Sequence, residues 1–403
     1  MRSREKGAMA YLYVNSKGKA WTEHSYSAGN DFDQSPIKYY LRRVLGWKEK
    51  DNKARFLFGK ALEEAIQYHH EHNGEGSVAE FQRLWSAHEK DGNVTYTDTE
   101  KNWANCNTMG TDMIRLYMAM QPKLPIPLGS SVFQRKYGKE VFPGDPNYGG
   151  ILDIGKLDII TYVEPNHPML PKVEWKPEYG AHRPLIVDIK TAANDFPEQP
   201  GMAGFDTQLR RYSWLSGIRD VSLLWFKKSG TKFQKGYSVT FLEKIDRYEP
   251  GSEAVIAKVD GEYAWVVYND FMLEEINRVQ GEKNGKTDQT GEAKQRGFEY
   301  LQKIGIRVSL SSLTRQRLQF NSGFVTQQSA DEAGQIAGRQ IRSIVDAWKN
   351  KSYPNTFGIR YPKDDRNDPY FRAFILKDEN YRKQNFTKSD EQSFDELFEE
   401  DNG

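Results

Sequence analysis

The chain has one cysteine, Cys106. A single thiol closes no internal disulfide and builds no four-cysteine metal cluster. The expected setting is therefore reducing and cytoplasmic, the cytoplasm of a bacterial host if the chain is phage-encoded. Long apolar runs are also missing. None approaches the roughly 20 residues that a bilayer span requires, so no membrane partner is expected. Met1-Arg2-Ser3-Arg4-Glu5-Lys6 is basic but has no apolar stretch behind it, unlike a secretory signal. No charge of one sign dominates: 57 Lys and Arg stand against 56 Asp and Glu, a formal net charge of +1. Any basic surface must then be local and balanced by acid elsewhere. There is no GxxxxGK[ST] phosphate loop, which argues against ATP hydrolysis by the chain itself, and no internal repeat.

What is present suits a folded globular protein: 403 residues, 37% hydrophobic and 28% charged, with nine Trp, 22 Tyr and 21 Phe. Most of these rings should build core. Ser35-Pro36-Ile37 opens a helix, with Ser as cap and Pro at its first position; Ile37, Tyr40, Leu41 and Val44 share a face, and Gly46 ends it. Helical spacing recurs from Phe58 to His70, from Asn102 to Met120 and from Phe205 to Leu215. His69, His70 and His72 read as cations at a helix end. Strands are expected over Val132–Tyr137, Ile151–Tyr162, Leu185–Ile189, Val221–Lys227, Tyr263–Tyr268 and Leu318–Val325, with a long hairpin loop from Glu164 to Pro184. A helical segment near Asp270–Arg278 precedes a polar linker, Gly281–Gly291. Ser329-Ala330-Asp331-Glu332 has capping-box form before a helix bearing Ile341, Ile344, Val345 and Trp348.

The pattern predicts an α/β (α+β) chain, a mixed sheet flanked by helices. Residues 1–241 and 316–388 would form the main domain. Residues 242–315 would form an insertion or accessory subdomain, and residues 389–403 a disordered tail with seven acids and no Lys or Arg.

Asp188-Ile189-Lys190 ends the apolar run Leu185-Ile186-Val187. Residues two apart on a strand share a face, so the carboxylate and the ammonium lie side by side. Such an acid can bind a hard cation, and such a lysine can stabilise charge on a phosphorus centre. Alone, the triplet reads as a surface ion pair. Thirty residues earlier, Gly155-Lys156-Leu157-Asp158 places a second acid in an apolar strand, with Asp153 as a competing candidate. Two acids on neighbouring strands can share one or two Mg²⁺ ions. Gly155 itself suggests a bend. Glu63, in Gly59-Lys60-Ala61-Leu62-Glu63, lies beside the apolar face of its helix. Gln208 and Tyr212 stand four apart on one helical face, with Arg210 and Arg211 off it and available to phosphates.

In this order, helix with GxxxE, strand with GKLD, strand with VDIK and helix with QxxxY, the chain resembles the PD-(D/E)XK nuclease superfamily, in particular its RecB-like branch. The resemblance covers about Ser35 to Lys227 and resumes from Leu318 to Pro354. It implies a restriction-endonuclease-like fold and Mg²⁺- or Mn²⁺-dependent hydrolysis of DNA, more in the manner of an exonuclease of recombination, repair or phage DNA metabolism. Asp158, Asp188, Glu63 and the carbonyl of Ile189 would be metal ligands, Lys190 the catalytic lysine, and Gln208, Tyr212 and Arg211 contacts to DNA, single-stranded or at duplex ends. Two features depart from the pattern. Glu63 stands where many relatives have His. The four cysteines of an iron–sulfur cluster are missing, Ser35-Pro36 occupying the early Cys-Pro position. The cluster is thus expected to be absent, its clasp replaced by packing of Phe357, Tyr361, Tyr370 and Phe371.

Two other features bear on partners. Lys227, Lys228, Lys232 and Lys235 form a basic stretch that could track a nucleic-acid backbone. Phe394, Leu397 and Phe398 share a face in the acidic tail, a candidate docking segment for a replication or recombination protein. The alternative readings are a non-catalytic DNA-binding or scaffold protein on the same fold, and an RNA-directed nuclease.

Overall fold

The computed structural model describes residues 10–15, 18–173, 180–194, 196, 201–228, 231–233, 236–240, 253–259, 263–267, 317–357 and 368–388; of 231–267, only the backbone is described. The expected helix near residue 270, the polar linker, Tyr361 and the acidic tail lie outside these residues. The architecture is mixed α/β: one central mixed sheet with helices on both faces. Its strands are β1 (Glu23–Ser25), β2 (Val132–Glu140), β3 (Leu152–Val163), β4 (Arg183–Ala192) and β5 (Asp220–Lys227), followed after an interpolated four-stranded antiparallel sheet, β6 (Thr231–Phe233), β7 (Gly236–Thr240), β8 (Glu253–Val259) and β9 (Tyr263–Val267), by β10 (Arg317–Phe324). Helices are α1 (Tyr26–Gln34), α2 (Pro36–Tyr39), α3 (Ala54–Glu71), α4 (Ser77–Ser86), α5 (Trp103–Met120), α6 (Thr207–Ser216) and α7 (Gln327–Lys349).

β4 and β5 run parallel and are joined through α6, while β10 pairs antiparallel with β5 and β4 antiparallel with β3. One face is covered by α3, α4 and α5, where Phe58, Leu62, Phe81, Trp85 and Tyr117 pack on Val187, Ile189, Leu224 and Phe226. The other is covered by α6, where Leu209, Tyr212 and Leu215 meet Leu157, Ile160, Ile186 and Leu223. Side chains of β4 and β5 thus alternate between two buried faces, which is why both strands read as continuous apolar runs.

The pairing of β3 positions the candidate site. β2 lines one edge of β3. The other edge is shared: β1 pairs with Leu152–Ile154 and β4 with Ile159–Val163. Residues 155–158 are left without a ladder partner on that edge. Opposite them, the β2 pairing skips from Phe133↔Ile159 to Arg135↔Leu157. The skipped residue, Gln134, has φ 53°, a left-handed conformation that non-glycine residues rarely adopt. The alternation slips at the same place, since Leu157 and Ile160 face α6 but Ile159 faces α3. Asp158 therefore sits where β3 is unpaired and out of phase.

Three local expectations are corrected. The helix opens as expected, with Ser35 as cap and Pro36 at its first position, but over Tyr40–Val44 it widens into a π-turn; adjacent Arg42 and Arg43 both reach Asp31, at 3.0 and 2.8 Å. Helix α7 is capped by Thr326, whose Oγ1 accepts from the Ser329 amide at 3.1 Å. Glu332, expected to close a capping box, instead accepts from Arg210 at 2.6 Å. His69 and His70 are buried and held below the ordinary histidine pKa by burial, His70 at about 4, so they are neutral rather than cationic. They bond Ser77 Oγ (3.0 Å) and Tyr117 Oη (2.6 Å). Helices α1 and α4 were not foreseen. Of the aromatic clasp, Phe357, Tyr370 and Phe371 pack with Leu41 and Phe386.

Candidate functional site

Asp188 reaches the site because β4 carries it through the core to the end of the apolar run. Only 1% of it is exposed, against 3% for Asp158 and 7% for Glu63. Lys190, two residues on, puts Nζ 3.1 Å from Asp188 Oδ2, as strand geometry predicts for the triplet. Neither oxygen of Asp188 receives a well-aligned hydrogen bond. Asp158 lies across the notch in β3, and its Oδ2 accepts from the Ile189 amide at 2.8 Å. That amide has run past the end of the β3–β4 ladder, and the carboxylate satisfies it in place of a backbone carbonyl. Ile189, expected as a ligand through its carbonyl, thus also fixes Asp158 through its N–H. Asp153, the competing candidate, is elsewhere.

Glu63 comes from α3, on the face that also buries Gly59, Leu62 and Ile66. Burial pushes its carboxyl up to about 7; Asp188 adds to the rise, and Lys156 and Lys190 oppose it. Burial likewise raises Asp158 to about 8, with Glu63 adding and Lys190 and the Ile189 amide opposing. Asp188 also lies at about 8, raised by burial, Asp158 and Asp206 and lowered by Lys190. Burial works against the Lys190 ammonium, but Asp188 and Asp158 outweigh it and hold its pKa above the ordinary lysine value. Three carboxyls are thus crowded in a place too dry to ionise them all, with Lys190 as their shared counter-charge.

The second side of Lys190 is also fixed. Its Nζ donates to Gln208 Oε1 at 3.0 Å, and Gln208 Nε2 donates to Tyr212 Oη at 2.7 Å. Helix α6 presents this pair after Asp206, whose Oδ1 caps the Gln208 and Leu209 amides at 2.9 Å. Gly155 allows α6 to come this close: a Cβ there would lie 2.8 Å from Leu215 Cδ1 and 3.0 Å from the Tyr212 ring. The glycine marks a close helix approach rather than a chain turn; β3 continues through it as one strand.

Arg211 is a correction. It is 2% exposed and faces the protein, not solvent. On a helix it lies only about 60° from Gln208, so it is not off that face. Arg211 Nε donates to Asp153 Oδ2 at 2.7 Å, and Nη1 donates to Gln340 Oε1 at 3.1 Å. His24 Nδ1 lies 2.9 Å from Asp153 Oδ1, and Gln340 Nε2 donates to Asp33 Oδ2 at 2.7 Å. This buried network ties β1, β3, α1, α6 and α7 together. Arg210 is likewise engaged, with Glu332 and the Ser329 carbonyl. Lys228, expected on a basic loop, is buried and pairs with Glu100 at 2.8 Å.

Lys190, Gln208 and Tyr212 line a cleft of about 1110 Å³, whose lining does not include the buried Glu63, Asp158 and Asp188. Lys38, Arg42, Lys48, Lys53, Arg55, Lys60, Lys190 and Lys228 face four acids across it, eight cations against four anions. The cleft lining is therefore locally rich in cations although the chain as a whole is near neutral. The sequence reading missed Lys156 and Asp206, although Asp just before a helical run is a recognisable cap signal.

The donors at the acids are all oxygen, the set that hard divalent cations select. Among the described residues no three His, Cys, Asp or Glu side chains close into a preformed metal cage. Magnesium commonly binds through one or two carboxylates and keeps several waters, so Asp158 and Asp188, with the Ile189 carbonyl and Glu63 beside them, fit that ion. No described helix is long and apolar enough to cross a membrane.

No family model and no curated protein matches the chain. Among solved structures, a chain titled "Crystal structure of SSO0001" is 14% identical, covers 47% of this chain and 67% of its own, and superposes with a TM-score of 0.17, too low to carry an argument.

Proposed function

We propose that this protein is a Mg²⁺- or Mn²⁺-dependent nuclease of the PD-(D/E)XK superfamily, RecB-like branch, hydrolysing DNA phosphodiester bonds. The observation that carries the reading is the linked row Asp188–Lys190–Gln208–Tyr212, with Asp158 and Glu63 beside it, whose members Lys190, Gln208 and Tyr212 line a cation-rich cleft. Asp158 and Asp188 would hold the metal, with Glu63 and the Ile189 carbonyl completing its shell. When bound, the ion supplies positive charge to the scissile phosphate and lowers the pKa of a coordinated water. Lys190 faces the cleft and offers its ammonium to a non-bridging oxygen as charge builds there. Gln208 and Tyr212 keep Lys190 aimed and leave polar edges for the strand. The Lys and Arg side chains of the cleft hold neighbouring phosphates.

The test is digestion of labelled single-stranded DNA, duplex DNA and RNA, side by side, with Mg²⁺, Mn²⁺ or EDTA. DNA cleavage that needs metal and disappears in Asp188→Asn and Lys190→Ala is expected; RNA cleaved in preference to DNA would change the substrate to RNA. A second reading, a non-catalytic DNA-binding protein, is favoured by the depth of the acids, all 7% exposed or less. Tight metal-independent DNA binding with no cleavage of any substrate would establish it instead.

A further inference from the structure

On the far side of α2 from the cleft lies a second cavity of about 790 Å³. Lys38 lines the cleft, whereas its neighbour Ile37, and Tyr40 beyond the helix, line the second cavity. Four of its ten lining residues are aromatic: Tyr11, Tyr40, Trp348 and Tyr353. Tyr40 and Tyr353 stack with centroids 4.5 Å apart and planes 27° from parallel. Tyr11 is exposed, whereas the Tyr353 hydroxyl oxygen is buried and only the ring of that residue is offered to the cavity. Lys349 and Lys351 supply two cations, Asn147 supplies an amide, and no described Asp or Glu lines the cavity.

We propose that this cavity binds a planar aromatic ring carrying a phosphate, that is, a nucleotide. Flat apolar walls with aromatic faces suit a base, because stacking is tolerant of base identity and is worth about 1–3 kcal/mol per base. Two lysines without a competing carboxylate suit the phosphate. The Asn147 amide provides a polar group of the kind that orients a ligand in a mostly apolar pocket. The volume lies in the range of small-ligand pockets, roughly 300–1,000 Å³. The site does not depend on the nuclease reading, since none of its residues belongs to the cleft.

The experiment uses the full chain and 8-azidoadenosine 5′-monophosphate, photocrosslinked and mapped by peptide mass spectrometry, with affinity for adenosine 5′-monophosphate measured by calorimetry. Adducts are expected on peptides containing Tyr11 or Trp348–Tyr353. Lys349→Gln combined with Lys351→Asn should weaken binding by about tenfold or more, the effect of losing charge-assisted hydrogen bonds. Asn is chosen because Lys351 has φ 50°, which Asn tolerates. Asp188→Asn should leave this binding unchanged. A trinucleotide that competes more strongly than the mononucleotide identifies the occupant as one nucleotide of a strand; equal or weaker competition identifies it as a free nucleotide. The proposal is overturned if adducts are absent or confined to cleft peptides, if inorganic phosphate competes as well as the nucleotide, or if the double lysine variant binds normally. DNA cleavage by the same preparations is read separately, so either result can stand without the other.

Discussion

Lys190 is the residue on which the site turns, because it is shared between the acids on one side and Gln208 on the other. Replacing it with Ala should lower the rate of DNA cleavage by about a hundredfold or more, the usual loss when a charge-stabilising donor is removed. Single-turnover kinetics with saturating metal would show it. The acids should behave differently in stability and in activity. Asp188 is carboxyl-crowded and its ionised form is disfavoured by the fold. Asp188→Asn keeps the shape and removes the charge. It should therefore abolish cleavage yet raise the thermal midpoint in EDTA by a few degrees, a shift that corresponds to roughly 1 kcal/mol in a large domain. A lowered midpoint in that variant would mean that Asp188 is needed for packing. These residues were legible in sequence because their spacing along single elements is diagnostic: Asp188 and Lys190 on a strand, Gln208 and Tyr212 on a helix. Arg211 was not, because its fate is decided by Asp153, 58 positions away. An Arg beside a phosphate-binding motif and an Arg paired inside the core look alike until the partner strand is placed.

At the scale of elements, what holds α6 against the sheet also holds Gln208 and Tyr212 over Lys190. The anchor is the buried Arg211–Asp153–His24 network. Arg211→Ala leaves Asp153 buried without its cation, a loss of about 3–5 kcal/mol that urea unfolding would measure. Cleavage should fall with it, while a urea midpoint equal to the parent chain would show that the pair stabilises nothing. The same network carries one acid-sensitive contribution to stability. His24 is held below its ordinary value by burial and by Arg211, so the folded state prefers it neutral. The unfolded chain binds the proton first, below about pH 6.5. This contribution is complete above that pH and is lost as the pH falls through it. Asp153, kept low because Arg211 and the His24 contact outweigh its burial, adds a further loss only below the ordinary aspartate range. The raised carboxyls of Glu63, Asp158 and Asp188 act in the opposite sense, gaining stability as the pH falls through their folded values. The His24 contribution is therefore read by difference: the stability lost in His24→Asn should be smaller at pH 5 than at pH 7.5, and an equal loss at both would show that His24 does not titrate on unfolding. Element boundaries were read less well than element types. The capping box at Ser329 was displaced to Thr326 because Glu332 found Arg210, a tertiary partner that local propensity cannot anticipate. The notch in β3 was invisible for a related reason: it exists because β1 and β4 divide one edge, a property of topology rather than of any segment.

At the scale of the whole molecule, the question is how the region between β5 and β10 relates to the sheet. These strands are antiparallel neighbours, and their register closes at Lys227↔Arg317. Directly paired residues lie about 5 Å apart, a gap that a short hairpin loop spans. Everything between them can therefore be an insertion that leaves and re-enters the core at one point, and β6 to β9 pair among themselves in a separate sheet. Alternating apolar residues suggested the strand at Tyr263, but the placement of an insertion at a hairpin depends on the Lys227↔Arg317 pairing, which no local pattern reports. The consequence is specific. Replacing residues 229–315 with a four- or five-residue Gly/Ser linker should give a chain that folds, because Lys228 and its buried Glu100 partner are retained. Its urea unfolding should remain cooperative, and its cleavage of a short single-stranded oligonucleotide should stay within a few fold of the full chain if the chemistry belongs to the core. Loss of cleavage with a cooperative fold would assign the insertion to substrate grip. Loss of folding would show that β5 and β10 need the intervening residues to pair, and that the division of the chain into core and insertion is wrong.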